Sequence, residues 1–132
     1  GEAIHAIKNA GGKAFLAHPD RYLHPNLIKK HDNNIDEVRS QIIKSLIWIC
    51  KRGGIDGVEV HYPYDKKVFH NDEELMGLKR NLEETIQFYL DMCRKMNLQF
   101  SGGTDFHNPK KDNIGECGLT ESEFNSLDLR TY

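Results

Sequence analysis

Ile55-Asp56-Gly57-Val58-Glu59-Val60-His61-Tyr62-Pro63 is the stretch on which the fold turns. Ile55 to Val60 reads as a short β-strand, and His61-Tyr62-Pro63-Tyr64 closes it, because proline cannot donate to a ladder. Upstream, Ile35 to Arg52 carries Val38, Ile42, Ile43, Leu46, Ile47 and Cys50 at helical spacing. Asp36 near its start suits the positive end of the helix dipole, and Gly53-Gly54 stops it. The same plan stands on either side. Glu2 to Ala10 is a helical pattern stopped by Gly11-Gly12, and Lys13 to Ala17 is an apolar strand ending at His18-Pro19. Asn71 to Met96 predicts the longest helix, through Leu75, Leu78, Leu82, Ile86, Leu90 and Cys93; Leu98 to Ser101 is the third strand, running into Gly102-Gly103. Asp20 to Asn34 reads as loop with one helical turn near Leu27. The tail from Asn113 carries weak signals and one turn around Glu121 to Phe124. Short strands alternating with helices predict an α/β fold of about three parallel β-α units. A closed barrel needs roughly 200 residues or more, so three units make only part of one.

The 132 residues are 38% hydrophobic and 29% charged, the composition of one globular domain or a part of a larger one. A formal net charge of -2, without aromatic and basic residues interleaved, argues against nucleic-acid binding. No apolar run is long enough to span a bilayer, and Gly1 to Ala10 lacks the pattern of a signal peptide. Glu2 to Ala10 reads as the body of a helix, so further chain is expected upstream. Cys50, Cys93 and Cys117 are widely spaced and odd in number, which predicts free thiols in a reducing, cytoplasmic setting.

The chemistry lies after each strand. The first is followed by His18-Pro19-Asp20-Arg21, the second holds Glu59 and is followed by His61, and the third leads to Thr104-Asp105-Phe106-His107. Parallel strands share one C-terminal edge, so these side chains are expected together although far apart in sequence. In extended chain Asp105 and His107 would point the same way, a carboxylate and an imidazole suited to a divalent metal. A solvated turn capped by Asp105 is the plainer reading. Glu59 either faces this site or faces solvent. Arg21 and His61 are candidates for holding a substrate, Arg21 through bidentate contact with phosphate oxygens, and as ordinary polar residues they need no such role. His5, His24, His31 and His70 read as solvated, as do Lys66-Lys67 and Lys110-Lys111.

The blocks KAFLAHPDRY, IDGVEVHYP and SGGTDFHNP resemble, in order and spacing, the last conserved blocks of the PHP family, named for polymerase and histidinol phosphatase. The nearest branch in pattern is the small phosphoesterases acting on nucleotides, and the likeness runs from about Ile4 to Asn108. The resemblance implies a distorted (β/α)7 barrel, of which residues 1–132 would be the C-terminal portion of a single domain. It implies a cluster of divalent ions (zinc, manganese or iron), a metal-activated water, and a small phosphorylated substrate such as a nucleotide. His18, Asp105 and His107 match family metal ligands; Glu59 matches a family position and is a candidate for supporting those ligands from behind. The family's opening His-x-His pair does not occur here. The expectation is therefore a metal-dependent phosphoesterase of which this chain supplies part of the metal site, weak or inactive alone, and pairing with itself or with the missing N-terminal part. The alternatives are a non-catalytic PHP-like module serving as scaffold or partner surface, and an unrelated metallohydrolase such as an amidohydrolase.

Overall fold

A computed structural model describes residues 1–67, 81–110 and 112–127. Its centre is a sheet of three parallel strands, β1 (Phe15–Leu16), β2 (Gly57–His61) and β3 (Gln99–Gly102), in the order β1-β2-β3. Phe15 pairs with Gly57, Val58 with Phe100, and a bulge interrupts the β2–β3 register between Glu59 and His61. The expected alternation of strands and helices is present, and among the described residues the sheet is open. At Gly57, a Cβ would lie 2.3 Å from the Phe15 ring and 2.6 Å from the Gln99 carbonyl oxygen, so the middle strand can enter the sheet only as glycine.

Local chemistry sets the boundaries of the elements. Helix α1 (Glu2–Asn9) has Glu2 in its first turn and Lys8 in its last, matching the dipole, and Gly11 follows it at φ 77°. Lys8 Nζ reaches Asp56 Oδ1 at 2.6 Å, while Asp56 Oδ2 accepts the Ala14 N–H at 2.7 Å. One carboxylate thus ties α1 and the entry of β1 to the start of β2. The first strand is shorter than Lys13 to Ala17, because His18 at φ 28° turns the chain and Pro19 opens a 3-10 turn, Pro19–Tyr22. The helical turn expected near Leu27 is α2 (Pro25–Lys30), with proline at its first position and His24 Nδ1 accepting the Asn26 N–H at 3.2 Å.

The helix expected from Ile35 to Arg52 is present as α3 (Ile35–Val38), a π-helical segment Arg39–Ile43, and α4 (Lys44–Arg52). Asn34 caps it by accepting the Glu37 N–H at 3.1 Å. Beyond the short α5 (Tyr64–Lys67), helix α6 is Leu82–Met96. The expected start at Asn71 lies outside the described residues; α6 itself begins at Leu82, because Asn81 is extended and its side chain accepts the Glu84 N–H at 3.2 Å. Leu75, Leu78 and His70 lie outside the described residues. Helix α7 (Glu121–Ser126) starts at a reciprocal capping box between Thr120 and Glu123 and contains the helical turn expected over Glu121 to Phe124.

Val58 and Val60 of β2 are buried against Tyr89, Met92 and Cys93 of α6, with Val38, Ile43 and Ile47 completing the core. Glu59, between the two valines, is only partly buried, as the two-residue period of a strand requires. Among the described residues no helix is long and apolar enough to cross a membrane.

The core also holds an ion pair. Asp20 and Arg39 are buried, joined by Nε–Oδ1 at 3.0 Å and Nη2–Oδ2 at 2.8 Å. Thr85 Oγ1 lies 3.3 Å from Arg39 Nη2, and the Tyr89 hydroxyl donates to Asp20 Oδ1. This cluster fastens the turn after β1 to the π segment and to α6.

Candidate functional site

The C-terminal ends of the three strands meet where the sequence places its metal-capable residues. His18 follows β1, Glu59 lies within β2, Tyr62 follows β2, and Asp105 follows β3. The His18 N–H donates to Glu59 Oε2 at 2.9 Å, so Glu59 faces this edge and not solvent. The His18 ring packs on Tyr62 with centroids 5.1 Å apart, and its Nδ1 is shut off from solvent with no hydrogen-bond partner among the described residues. On the other side of Tyr62, its hydroxyl donates to Asp105 Oδ2 at 3.2 Å. Arg21 Nη1 lies 3.2 Å from the same oxygen and 3.5 Å from the Tyr62 hydroxyl oxygen. Tyr62 therefore joins the His18–Glu59 pair to the Arg21–Asp105 pair.

Asp105 and His107 come together, but not by the pleat of an extended chain. Asp105 has φ 50°, and the turn it makes folds the imidazole back, with His107 Nδ1 2.7 Å from the Asp105 carbonyl oxygen and 3.2 Å from its Oδ1. Asp112 holds this loop by accepting the N–H groups of His107 and Asn108 at 2.9 and 3.0 Å. Gly102-Gly103 brings the backbone close to side chains of the neighbouring strand: a Cβ on Gly103 would sit 3.3 Å from Glu59 Oε1, and one on Gly102 would sit 2.6 Å from the His61 Cβ.

The electrostatics differ from one carboxyl to the next. Burial raises the Glu59 carboxyl above the ordinary range, the His18 N–H works against that, and the charge of Asp105 adds to the rise. Burial also pushes the Tyr62 hydroxyl up to about 12, so it stays protonated and acts as a donor to Asp105. His61 is two residues past Glu59 across the bulge, and its Nε2 comes within 3.3 Å of Glu123 Oε1 on α7 without the alignment of a hydrogen bond. The Glu123 carboxyl is held low, mainly by the Thr120 N–H and hydroxyl, with His61 adding to this. His61 is thus drawn toward α7, while His18, Glu59 and Asp105 gather about Tyr62.

No family model, curated protein or solved structure matches this chain. What the edge can do must be argued from its own atoms. The donors are right in kind for a borderline divalent cation: an imidazole nitrogen without a partner in His18, carboxylates in Glu59 and Asp105, and a second imidazole in His107. They do not close on one point, and among the described residues no three His, Cys, Asp or Glu side chains form a group that could hold a metal ion. The set fits a metal by chemistry and falls short of it by count.

Two features escaped the sequence reading. Tyr62, the residue that joins the site, was taken only as the end of a strand, although a tyrosine set between a strand and a proline at a functional edge is a readable signal. The Asp20–Arg39 pair was missed as well. Arg39 stands four residues from both Ile35 and Ile43, in the apolar stripe of its helix, and a charge on a buried stripe calls for a partner. Of the histidines expected to be solvated, His24 caps α2 and His31 Nδ1 lies 3.4 Å from Glu37 Oε1.

Proposed function

We propose that this chain contributes part of the centre of a metal-dependent phosphoesterase of the PHP type, hydrolysing a small phosphate ester such as a nucleotide. The reading includes the finer architecture, a portion of a distorted (β/α)7 barrel, of which the open parallel sheet is the part in hand. One observation carries it. At the shared strand edge a solvent-inaccessible imidazole nitrogen, His18 Nδ1, has no hydrogen-bond partner among the described residues, while the Glu59 carboxylate accepts the backbone N–H of the same residue. A buried polar atom left unpaired costs free energy, so it calls for a ligand that completes it.

The residues then take distinct parts. His18 Nδ1, Asp105 and His107 are the donors that would hold a divalent ion of zinc, manganese or iron. Glu59 holds the His18 backbone in its left-handed conformation through the 2.9 Å hydrogen bond and keeps a readily protonated carboxyl beside the site. Tyr62 orients Asp105 through its hydroxyl. Arg21 is the cation within reach of a phosphate oxygen, and His61 is the further polar group at this edge. A bound ion would lower the pKa of a water and neutralise charge on the phosphoryl group. The free thiols of Cys50, Cys93 and Cys117 support a cytoplasmic setting.

The test is metal content and turnover together. Dialysed protein is titrated with manganese and zinc by calorimetry, and hydrolysis of p-nitrophenyl phosphate is followed with the same ions. The expected result is binding that His18→Ala and Asp105→Asn each weaken at least tenfold, with slow turnover that follows metal occupancy. Binding indifferent to both substitutions would overturn the reading. A second reading, a PHP-like module that serves as scaffold or partner surface, is favoured by one observation: the described donors do not close into a group of three. It predicts metal binding too weak to measure, and association with itself or with an N-terminal partner segment instead.

A further inference from the structure

Helix α4 buries Ile47 in the core but leaves Trp48 and Ile49 in water, 51% and 61% exposed. With Lys44 from the first turn of the same helix and Met96 from the end of α6, these two line a groove of about 640 Å³. The rest of its lining is serine and glutamine, and among the described residues no carboxylate lines it. Its surroundings are cationic. The Arg52 guanidinium lies 4.9 Å over the Trp48 ring, and exposed Lys95 stands next to Met96. A concave apolar floor within a positive frame fits an acidic segment that carries a bulky apolar anchor.

The chain itself carries such a segment. On α7, Glu121 and Phe124 stand three residues apart and so share one face of the helix; both are exposed, Phe124 at 56%. Glu123 is engaged elsewhere, by Thr120 and, at 3.3 Å, by His61. The helix has these two glutamates and no basic residue. We propose that α7 of a second copy docks in the α4 groove, with Phe124 against Trp48, Ile49 and Met96, and Glu121 among Lys44, Arg52 and Lys95. Two grooves cannot pair with each other instead, because these cations would then face their own copies. The contact joins two different surfaces, so it is heterologous: a copy that gives its α7 still has its groove to offer. None of the docking residues is a proposed metal donor, and the inference stands apart from the metal reading.

The experiment is sedimentation velocity of the full chain from micromolar to near-millimolar concentration, for wild type, Trp48→Ala, Phe124→Ser and Glu121→Lys. Wild type should associate as concentration rises, and added salt should weaken the association, since charges at the rim are screened. Trp48→Ala and Phe124→Ser should each weaken it at least about tenfold, the scale of an interface anchor. Glu121→Lys sets like charges together and should weaken it by about as much. Trp48 and Phe124 are more than half exposed, so circular dichroism should show both variants folded. An equimolar mixture of Trp48→Ala and Phe124→Ser should form one-to-one pairs, because each variant supplies the surface that the other has lost. A wild type that stays monomeric throughout, or a mixture that stays apart, overturns the proposal. Association lost in Trp48→Ala but kept in Phe124→Ser overturns α7 as the occupant and gives the groove to another surface.

Discussion

Asp20 and Arg21 are neighbours in sequence, and each forms an ion pair with a distant partner, yet the two pairs do opposite jobs. Asp20 and Arg39 are sealed, with side chains 0% and 4% exposed, and each nitrogen of the arginine fork is engaged by Asp20, Asp36 or Thr85. Arg21 and Asp105 meet at the rim, 38% and 15% exposed, through a single contact. Burial makes the difference. A sealed pair cannot be given up, because its members have no water to return to, whereas a rim pair can be traded for another ion at small cost. The 3-10 turn after β1 thus spends one residue on holding the chain and the next on meeting whatever comes to the site.

The largest effect should come from breaking the sealed pair. Arg39→Met takes away the guanidinium that gives the buried Asp20 carboxylate two of its hydrogen bonds. The expected loss is about 3 to 5 kcal/mol of unfolding free energy. Adding Asp20→Leu should restore much of it, since the buried carboxylate that lost the guanidinium is then gone. Urea unfolding monitored by circular dichroism checks both. A single substitution costing under about 1 kcal/mol would mean the pair behaves like the one at the rim.

The carboxyls of Asp56 and Glu59 extend the contrast to pH. Burial opposes the charge of Asp56, but the hydrogen bonds from Lys8 and the Ala14 N–H, with the charges of Lys8 and Lys13, outweigh it and hold the carboxyl below its usual range. Stability from Asp56 is therefore present above the unfolded-state value of about 4 and is lost as pH falls through the lower folded value. Glu59 runs the other way. Its carboxyl is raised, so the stability it contributes is present at low pH and is lost as pH rises through the raised folded value. Asp56→Ala should cost about 1 to 3 kcal/mol at neutral pH, the worth of hydrogen bonds to a charged group, and should flatten the acid limb. Glu59→Gln should leave neutral stability unchanged or higher. Thermal melting across the acid range distinguishes the two, and parallel profiles would show that the site carboxyl is as structural as Asp56.

The fold was largely legible because its signals are local. Gly11-Gly12, Gly53-Gly54 and Gly102-Gly103 punctuate the chain, and Val58 and Val60 flank a glutamate in the two-residue period that a half-buried strand needs. The full extent of the helix Pro25–Lys30 was obscured because polar residues surround its few apolar positions, and the start of α6 at Leu82 because its cap, Asn81, stands within an apolar stripe of the sequence. At the site, residue types and the common edge could be read, and so could the pairing of Asp105 with His107. The turn that makes this pairing could not, since a left-handed aspartate has no signature of its own. Nor could the partners across space: nothing near Tyr62 in sequence announces Asp105, and nothing near Asp20 announces Arg39.

Arg21→Ala should have the smallest effect on stability, and that is its use. A half-exposed ion pair contributes about 0 to 1 kcal/mol, and here the long side chain also gives up rotamer freedom to reach Asp105 and the Tyr62 hydroxyl through one nitrogen. Salt sharpens the case, because raising ionic strength from about 0.05 to 1 M shortens the screening length to roughly 3 Å and should erase what the rim pair contributes while leaving the sealed pair intact. The unfolding free energies of wild type and Arg21→Ala should then converge at high salt, and that of Arg39→Met should not approach either. A loss above about 2 kcal/mol in Arg21→Ala, persisting in salt, would make Arg21 part of the framework. It would then be tied down like Asp20, and an arginine so tied could not turn to meet a phosphate.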